Sequence, residues 1–189
     1  MKVVSVVTTP NPDALKFTVD QDLLREGSRS FTSGAGAQKD ALASAIFALS
    51  GVTSVFYMAN FVTVNKKGDC DWPSLEKSII EVLRAHVIEV PKVTSPSVSQ
   101  VDESAGPKFQ DMSPAQKILS IDRLIERDIR PGLAGDGGGL EIVGLEDNIL
   151  QIHYEGACGS CPSSTSGTLM YIESFLRSNF DENLKVVPV

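Results

Sequence analysis

Between Pro91 and Asp111 the apolar periodicity of the chain stops. Pro91, Pro96 and Pro107 are mixed there with Ser, Thr, Val and acidic residues, and neither a strand period nor a helix period shows. A segment of that kind has no face to bury, so it reads as a partly extended linker over 91–111. It divides a chain of 189 residues into two units, 1–90 and 112–189. Each is long enough for a modest core of its own. The expected class is α+β: two small α+β domains joined by a Pro/Ser-containing linker, with few contacts crossing between them.

The first unit alternates at once. Val3–Thr8 and Ala14–Val19 read as strands joined by Thr9-Pro10-Asn11-Pro12-Asp13, a turn built on proline and Asx chemistry. A looser stretch with Gly27, Gly34 and Gly36 follows. Residues 38–50 read as a helix with Leu42, Ala45, Ile46 and Leu49 on one face, stopped by Gly51. Val52–Met58 and Phe61–Asn65 read as strands around Ala59-Asn60. Asp71-Trp72-Pro73 opens a second helix, with Leu75, Ile79, Val82 and Leu83 as its apolar face.

The second unit starts a helix at Ser113-Pro114. Ile118, Ile121, Leu124, Ile125 and Ile129 form its stripe, and Arg130-Pro131-Gly132 is the expected stop. Gly135–Gly139 reads as a turn into strand Leu140–Leu145. A second strand spans Ile149–Tyr154, a helix 163–179, and a short strand Leu184–Val187 closes the chain. The glycine run matches neither a phosphate-binding P-loop nor a dinucleotide fingerprint. Asp136 and Glu141 have no base or nucleophile converging with them. The Ser163-Ser164-Thr165-Ser166 run reads as helix-cap material.

Between the last long strand and its helix lies Gly156-Ala157-Cys158-Gly159-Ser160-Cys161-Pro162, which holds two of the three cysteines of the chain. Two thiols at this spacing can cycle between dithiol and disulfide, hold zinc, or hold an iron–sulfur cluster. Three cysteines make no disulfide framework, so a reducing compartment fits. A helix beginning at Pro162 presents free N–H groups that favour thiolate, which metal binding and redox chemistry both need. A thioredoxin-like site would need several strands and a cis-proline after the motif, and only 28 residues follow Cys161. Zinc and iron–sulfur sites take four ligands. His153 alternates with Ile152 and Tyr154 and so faces away from the apolar side of its strand. Cys70, in an acidic turn of the other unit, and His86, late in its helix, read as structural. Two chains meeting at this motif would supply two plus two thiolates. The net charge of −7 argues against nucleic acid and an anionic membrane surface, and no apolar run is long enough to span a bilayer.

Gly-Gly-Gly-Leu-Glu-Ile-Val at 137–143, Gly-Ala-Cys-Gly-Ser-Cys-Pro-Ser-Ser-Thr at 156–165, Thr168-Leu169 and Ile172-Glu173 resemble the C-terminal domain of NifU, the Nfu iron–sulfur carrier domain. The first unit resembles the domain that precedes it in Nfu proteins. The likeness is carried by Thr9-Pro10-Asn11-Pro12-Asp13-Ala14-Leu15-Lys16-Phe17, Gly51-Val52, Val55-Phe56, Phe61-Val62-Thr63-Val64 and Asp71-Trp72. The resemblance implies a non-enzymatic carrier that accepts an iron–sulfur cluster, with 4Fe–4S favoured, from an upstream donor and passes it to client apoproteins. By position it makes Cys158 and Cys161 the cluster ligands, here at the interface of a cluster-bridged homodimer. The N-terminal domain carries no cofactor in the family and assists client or partner contacts. The Met58-Ala59-Asn60 turn departs from relatives that place glycine or acidic residues there. Eukaryotic members carry a transit peptide and the segment from Met1 reads as strand, so a bacterial cytoplasm is expected ahead of a trimmed mitochondrial-matrix form. A thiol–disulfide oxidoreductase, a zinc-binding interaction module and an adaptor with incidental cysteines remain the alternatives.

Overall fold

The structure, a computed structural model, describes residues 1–86, 109–157 and 162–189, without the side chains of 162–166. Most of the expected linker therefore lies outside the described residues, as do Cys158 and Cys161.

The N-terminal domain is a five-stranded antiparallel sheet backed by two helices. Its strands are β1 (Val3–Thr8), β2 (Ala14–Val19), β3 (Ser28–Phe31), β4 (Val52–Met58) and β5 (Phe61–Lys66), in the order β1-β2-β5-β4-β3. Alternation along β2, β4 and β5 sends Leu15, Phe17, Val19, Val55, Tyr57, Val62 and Val64 to one face. There they meet Leu42, Ala43 and Ile46 of α1 (Ala41–Phe47) and Leu75, Ile79 and Leu83 of α2 (Trp72–Ala85). Full burial of each large side chain stabilises by roughly 1.5–3 kcal/mol.

Two elements here differ from expectation. Helix α1 is shorter than 38–50 because Asp40 takes the N-cap position. Its carboxylate accepts from Ala43 N at 2.9 Å, so the helix cannot begin earlier. The same carboxylate takes Arg29 at 2.6 Å and the Tyr57 hydroxyl. Burial alone would raise the Asp40 pKa, but these donors hold it below the usual carboxylate range. Strand β3 is the second difference. Ser28-Arg29-Ser30-Phe31 shows no apolar alternation, and only pairing with β4 defines it.

The C-terminal domain has a three-stranded sheet with helices on one face. Strands β6 (Gly138–Glu146) and β7 (Ile149–Gly156) form a hairpin, and β8 (Lys185–Pro188) lies parallel to β7. The hairpin turns on Asp147 and Asn148, both at positive φ, the backbone that a two-residue turn requires. Helix α3 (Pro114–Asp128) starts with a complete capping box between Ser113 and Gln116. Ile121, Ile125, Ile129, Ile172 and Leu176 pack on Leu140, Leu150, Ile152, Tyr154 and Val186. The expected stop at Arg130-Pro131-Gly132 is instead a short helix, α4 (Arg130–Gly135). Pro131 ends one helix and starts the next, because its missing N–H is tolerated in a first turn. Helix α5 (Pro162–Asn179) includes the Ser163–Ser166 run in its first turns. Phe109, in the segment read as linker, is buried in this second core, 4.7 Å from the Phe180 ring.

The expectation of few contacts between the units is overturned. The N-terminal sheet lays the face opposite its helices against the start of β6 and the end of β7. That face carries Lys16, Ser28, Phe56, Phe61, Thr63 and Asn65, set there by the strand register. Phe56 is fully buried yet belongs to neither domain core.

Candidate metal centre

Strand β7 carries the chain to the cysteine motif. Leu150, Ile152 and Tyr154 point into the helices, while His153 and Glu155 point the other way, paired across to Glu141 and Gly139. At the end of the strand Gly156 adopts φ +67°. A Cβ there would lie 2.5 Å from the Gly137 carbonyl and 2.8 Å from the Phe56 ring, so only glycine fits. Ala157 N–H donates to the Gly137 carbonyl at 3.2 Å. On the far side of the motif, α5 begins at Pro162. The motif is thus the connection between an anchored strand and an 18-residue helix.

The N-terminal domain holds the root of this connection. Asn65 Nδ2 donates to the Gly156 carbonyl and Asn11 Nδ2 to the Ala157 carbonyl, each at 3.3 Å. The two amides also touch each other at 3.4 Å, and Asn65 Nδ2 donates to Ser54 Oγ at 2.5 Å. The Asn11 side-chain oxygen accepts from Asp13 N at 3.0 Å. Nearby, Lys16 Nζ donates to the carbonyls of Ala134 (2.6 Å) and Gly135 (3.3 Å) and stands 4.4 Å over the Phe61 ring. Burial pushes the Lys16 ammonium down from its ordinary value against the pull of Asp136. Ser28 Oγ donates to Glu155 Oε2 at 2.5 Å. Burial raises the Glu155 carboxyl, and Glu141 adds to the rise. Ser28, His153 and Arg130 oppose it.

The other residues weighed from sequence have structural roles. His153 is exposed on the open face of β7, with Nδ1 2.9 Å from the Val189 carbonyl. His86 caps α2, and its carbonyl takes the N-terminal ammonium at 3.3 Å. Cys70 Sγ packs into the space that a side chain at Gly51 would need, and Gly51 itself sits at φ +94°. Asp136 caps α4. Among the described residues no group of three His, Cys, Asp or Glu side chains could hold a metal. No helix among them is long and apolar enough to cross a membrane.

Sequence reasoning missed the contribution of the N-terminal domain. Asn11 was legible only as a turn residue. Phe56, Thr63 and Asn65 sit on a strand face whose partner lies beyond the linker. One signal was present: Thr63 and Asn65 stand at alternate positions of β5, each after a buried valine. The glycine-rich entry to β6 has a second use besides the turn. A Cβ at Gly137 would come within 2.9 Å of Thr63 Oγ1, and one at Gly139 within 2.9 Å of Phe56.

The chain has two α+β domains, with the cysteine pair of the second following a strand and preceding a helix in sequence, and two family models match it. Residues 4–89 match the N-terminal domain of scaffold protein Nfu/NifU, and residues 121–187 match the NifU-like domain. The chain belongs to the Nfu/NifU family. It is similar to the mitochondrial NifU-like protein 5 of Arabidopsis thaliana, 33% identical over 171 residues, covering 89% of this chain and 61% of that one. It is also similar to the human mitochondrial NFU1 iron-sulfur cluster scaffold homolog, 34% identical over 158 residues, covering 82% and 59%. The chain thus spans about three-fifths of the length of these relatives. A solution structure of a NifU-like protein from Saccharomyces cerevisiae is 32% identical, with a TM-score of 0.39, covering 43% of this chain and 74% of that one.

Proposed function

We propose that this protein is an iron–sulfur cluster carrier that holds its cargo through Cys158 and Cys161 and delivers it to apoproteins, without being an enzyme. One observation carries the reading: the cysteine pair occupies the connection between β7 and α5 of a NifU-like domain. Thiolate sulfur is the natural donor to cluster iron. Helix α5 begins at Pro162, the residue after Cys161 in sequence, and the free amides of a helix start favour thiolate. Two thiolates per chain leave a 4Fe–4S cargo two ligands short. The cargo therefore bridges two chains, four irons to the dimer. Held by so few ligands from each chain it is labile, and acceptor cysteines can displace the carrier thiolates one at a time. The protein works in a reducing compartment, the cytoplasm first and the mitochondrial matrix second, where the pair stays reduced.

Anaerobic reconstitution with iron and sulfide tests this. The expected result is a cluster absorption band, about four irons per dimer, and conversion of an apo-monomer to a dimer by light scattering, since binding to the dimer alone draws association by mass action. Cys158→Ser and Cys161→Ser are each expected to abolish the band, and Cys70→Ser to keep it. A colourless zinc complex would sink the reading. So would a redox-active Cys158–Cys161 disulfide in place of the cluster, or a monomer holding four irons.

A further inference from the structure

The surface between the domains has the composition of an interface that opens. A permanent interface resembles a domain core, whereas one that exchanges with solvent keeps groups that water can satisfy. Here two aromatic side chains of that face are buried, Phe56 fully, its ring admitted by Gly139 and Gly156, and Phe61 beside it with ring centroids 6.0 Å apart. Around them the sheet presents Asn11, Lys16, Ser28, Thr63 and Asn65, and the other side answers with main-chain carbonyls and Glu155. Thr63 Oγ1 is fully buried here without a hydrogen-bond partner. Such groups are rare in settled interiors. Exposed on the open sheet, Thr63 would regain water. Lys16 and Glu155 likewise carry charges that closure strips of hydration.

The contacts fall at a decisive place. The carbonyls taken by Asn65 and Asn11 belong to the two residues directly before Cys158. The N-terminal domain thus holds the main chain from which the motif departs. Resting on the carrier reading above, we infer that the N-terminal sheet is a reversible cover for the root of the cysteine motif. Asn11, Asn65 and Phe56 hold it closed, and it is released when a second copy of the chain engages the motif. The domain without a cysteine pair thereby regulates access to the domain that has one. Asn11 and Asn65 are positioning residues: they act through the Gly156–Ala157 main chain.

The test uses the full-length apo-protein in a Cys70→Ser background, so only Cys158 and Cys161 react with a maleimide. Two variants attack the closed form from opposite sides. Asn11→Ala/Asn65→Ala removes the amide clasp. Gly139→Val drives a side chain into the Phe56 ring, and even its Cβ would come within 2.9 Å. Both are expected to raise the alkylation rate several-fold and to enlarge the radius of gyration from small-angle scattering, with far-UV circular dichroism unchanged. Because the wedge lies in one domain and the clasp in the other, misfolding of one variant leaves the second to decide. Equal alkylation rates in wild type and variants would overturn the cover. Faster alkylation with unchanged scattering would equally overturn it, by placing the effect in the connection alone. A wild-type protein that scatters as two separated bodies would do the same. None of these readouts needs a cluster, so the cover can stand or fall apart from the carrier assignment.

Discussion

The carboxyl of Glu155 meets Ser28 of the other domain, and closure of the domains takes it out of water. Its neighbours within the C-terminal domain are Glu141, His153, Arg130 and Glu126. From the N-terminal side Gly27, Ser28 and Met58 line the same cleft, and none of them titrates. Burial raises its pKa in the closed form, so that form holds the proton more tightly than the open one. The closed form is therefore unpenalised below the ordinary glutamate range and weakens as pH rises through the raised value. Glu155→Gln keeps an acceptor for Ser28 and removes the charge. The variant is expected to hold the closed radius of gyration as pH rises, while the wild type expands. Superimposable pH profiles would show that Glu155 ionisation has no part in closure. This site was illegible in the sequence, because the alternation of His153 and Glu155 shows which face they share but not that a second domain covers half of it. The exposure of His153 was legible, since its alternation with Ile152 and Tyr154 turns it away from the apolar side of the strand.

Elements were read best where patterning and punctuation agreed. Ser113, Pro114 and Gln116 announce the start of α3 in any context, because the cap is made from residues three apart. Ser113→Ala is expected to cost about 1 kcal/mol, measured as a lower urea midpoint of the C-terminal domain by far-UV circular dichroism. An unchanged midpoint would mean that packing of Ile121 and Ile125 alone sets the start of the helix. Hairpins β1–β2 and β4–β5 were equally plain, each with two apolar-rich runs around a short turn. Strand β3 and helix α4 were not. The first takes its conformation from the edge of β4, and the second is six residues whose one buried side chain is Leu133. Local signals for such pieces are weaker than the tertiary contacts that select them.

On the scale of the molecule the second domain begins earlier than the periodicity of α3 suggests. Phe109 is buried against Phe180, and Lys117 Nζ stands 5.2 Å from its ring centre. A fragment of residues 112–189 lacks that side chain, whereas 109–189 retains it. Burial of a phenylalanine stabilises by roughly 1.5–3 kcal/mol. Both fragments are expected to fold, the longer with the higher urea midpoint. Equal midpoints would show that Phe109 packs without contributing, and failure of both to fold would show that the N-terminal sheet is needed for the second core.

What the sequence determined alone was everything that depends on neighbours along the chain. That includes the two α+β units, the strand and helix periods, the start of α3 and the cysteine pair between a strand and a helix. These follow from spacing, and spacing survives without a fold. Only the tertiary structure decided that the polar face of one sheet lies against the glycine-lined root of the other domain. The pairing joins Asn11 and Asn65 to carbonyls at positions 157 and 156. Main-chain carbonyls carry no residue signature, and a glycine that admits a ring looks in sequence like a glycine that makes a turn. Recognition written in backbone atoms and empty space can be read only once the two surfaces are brought together.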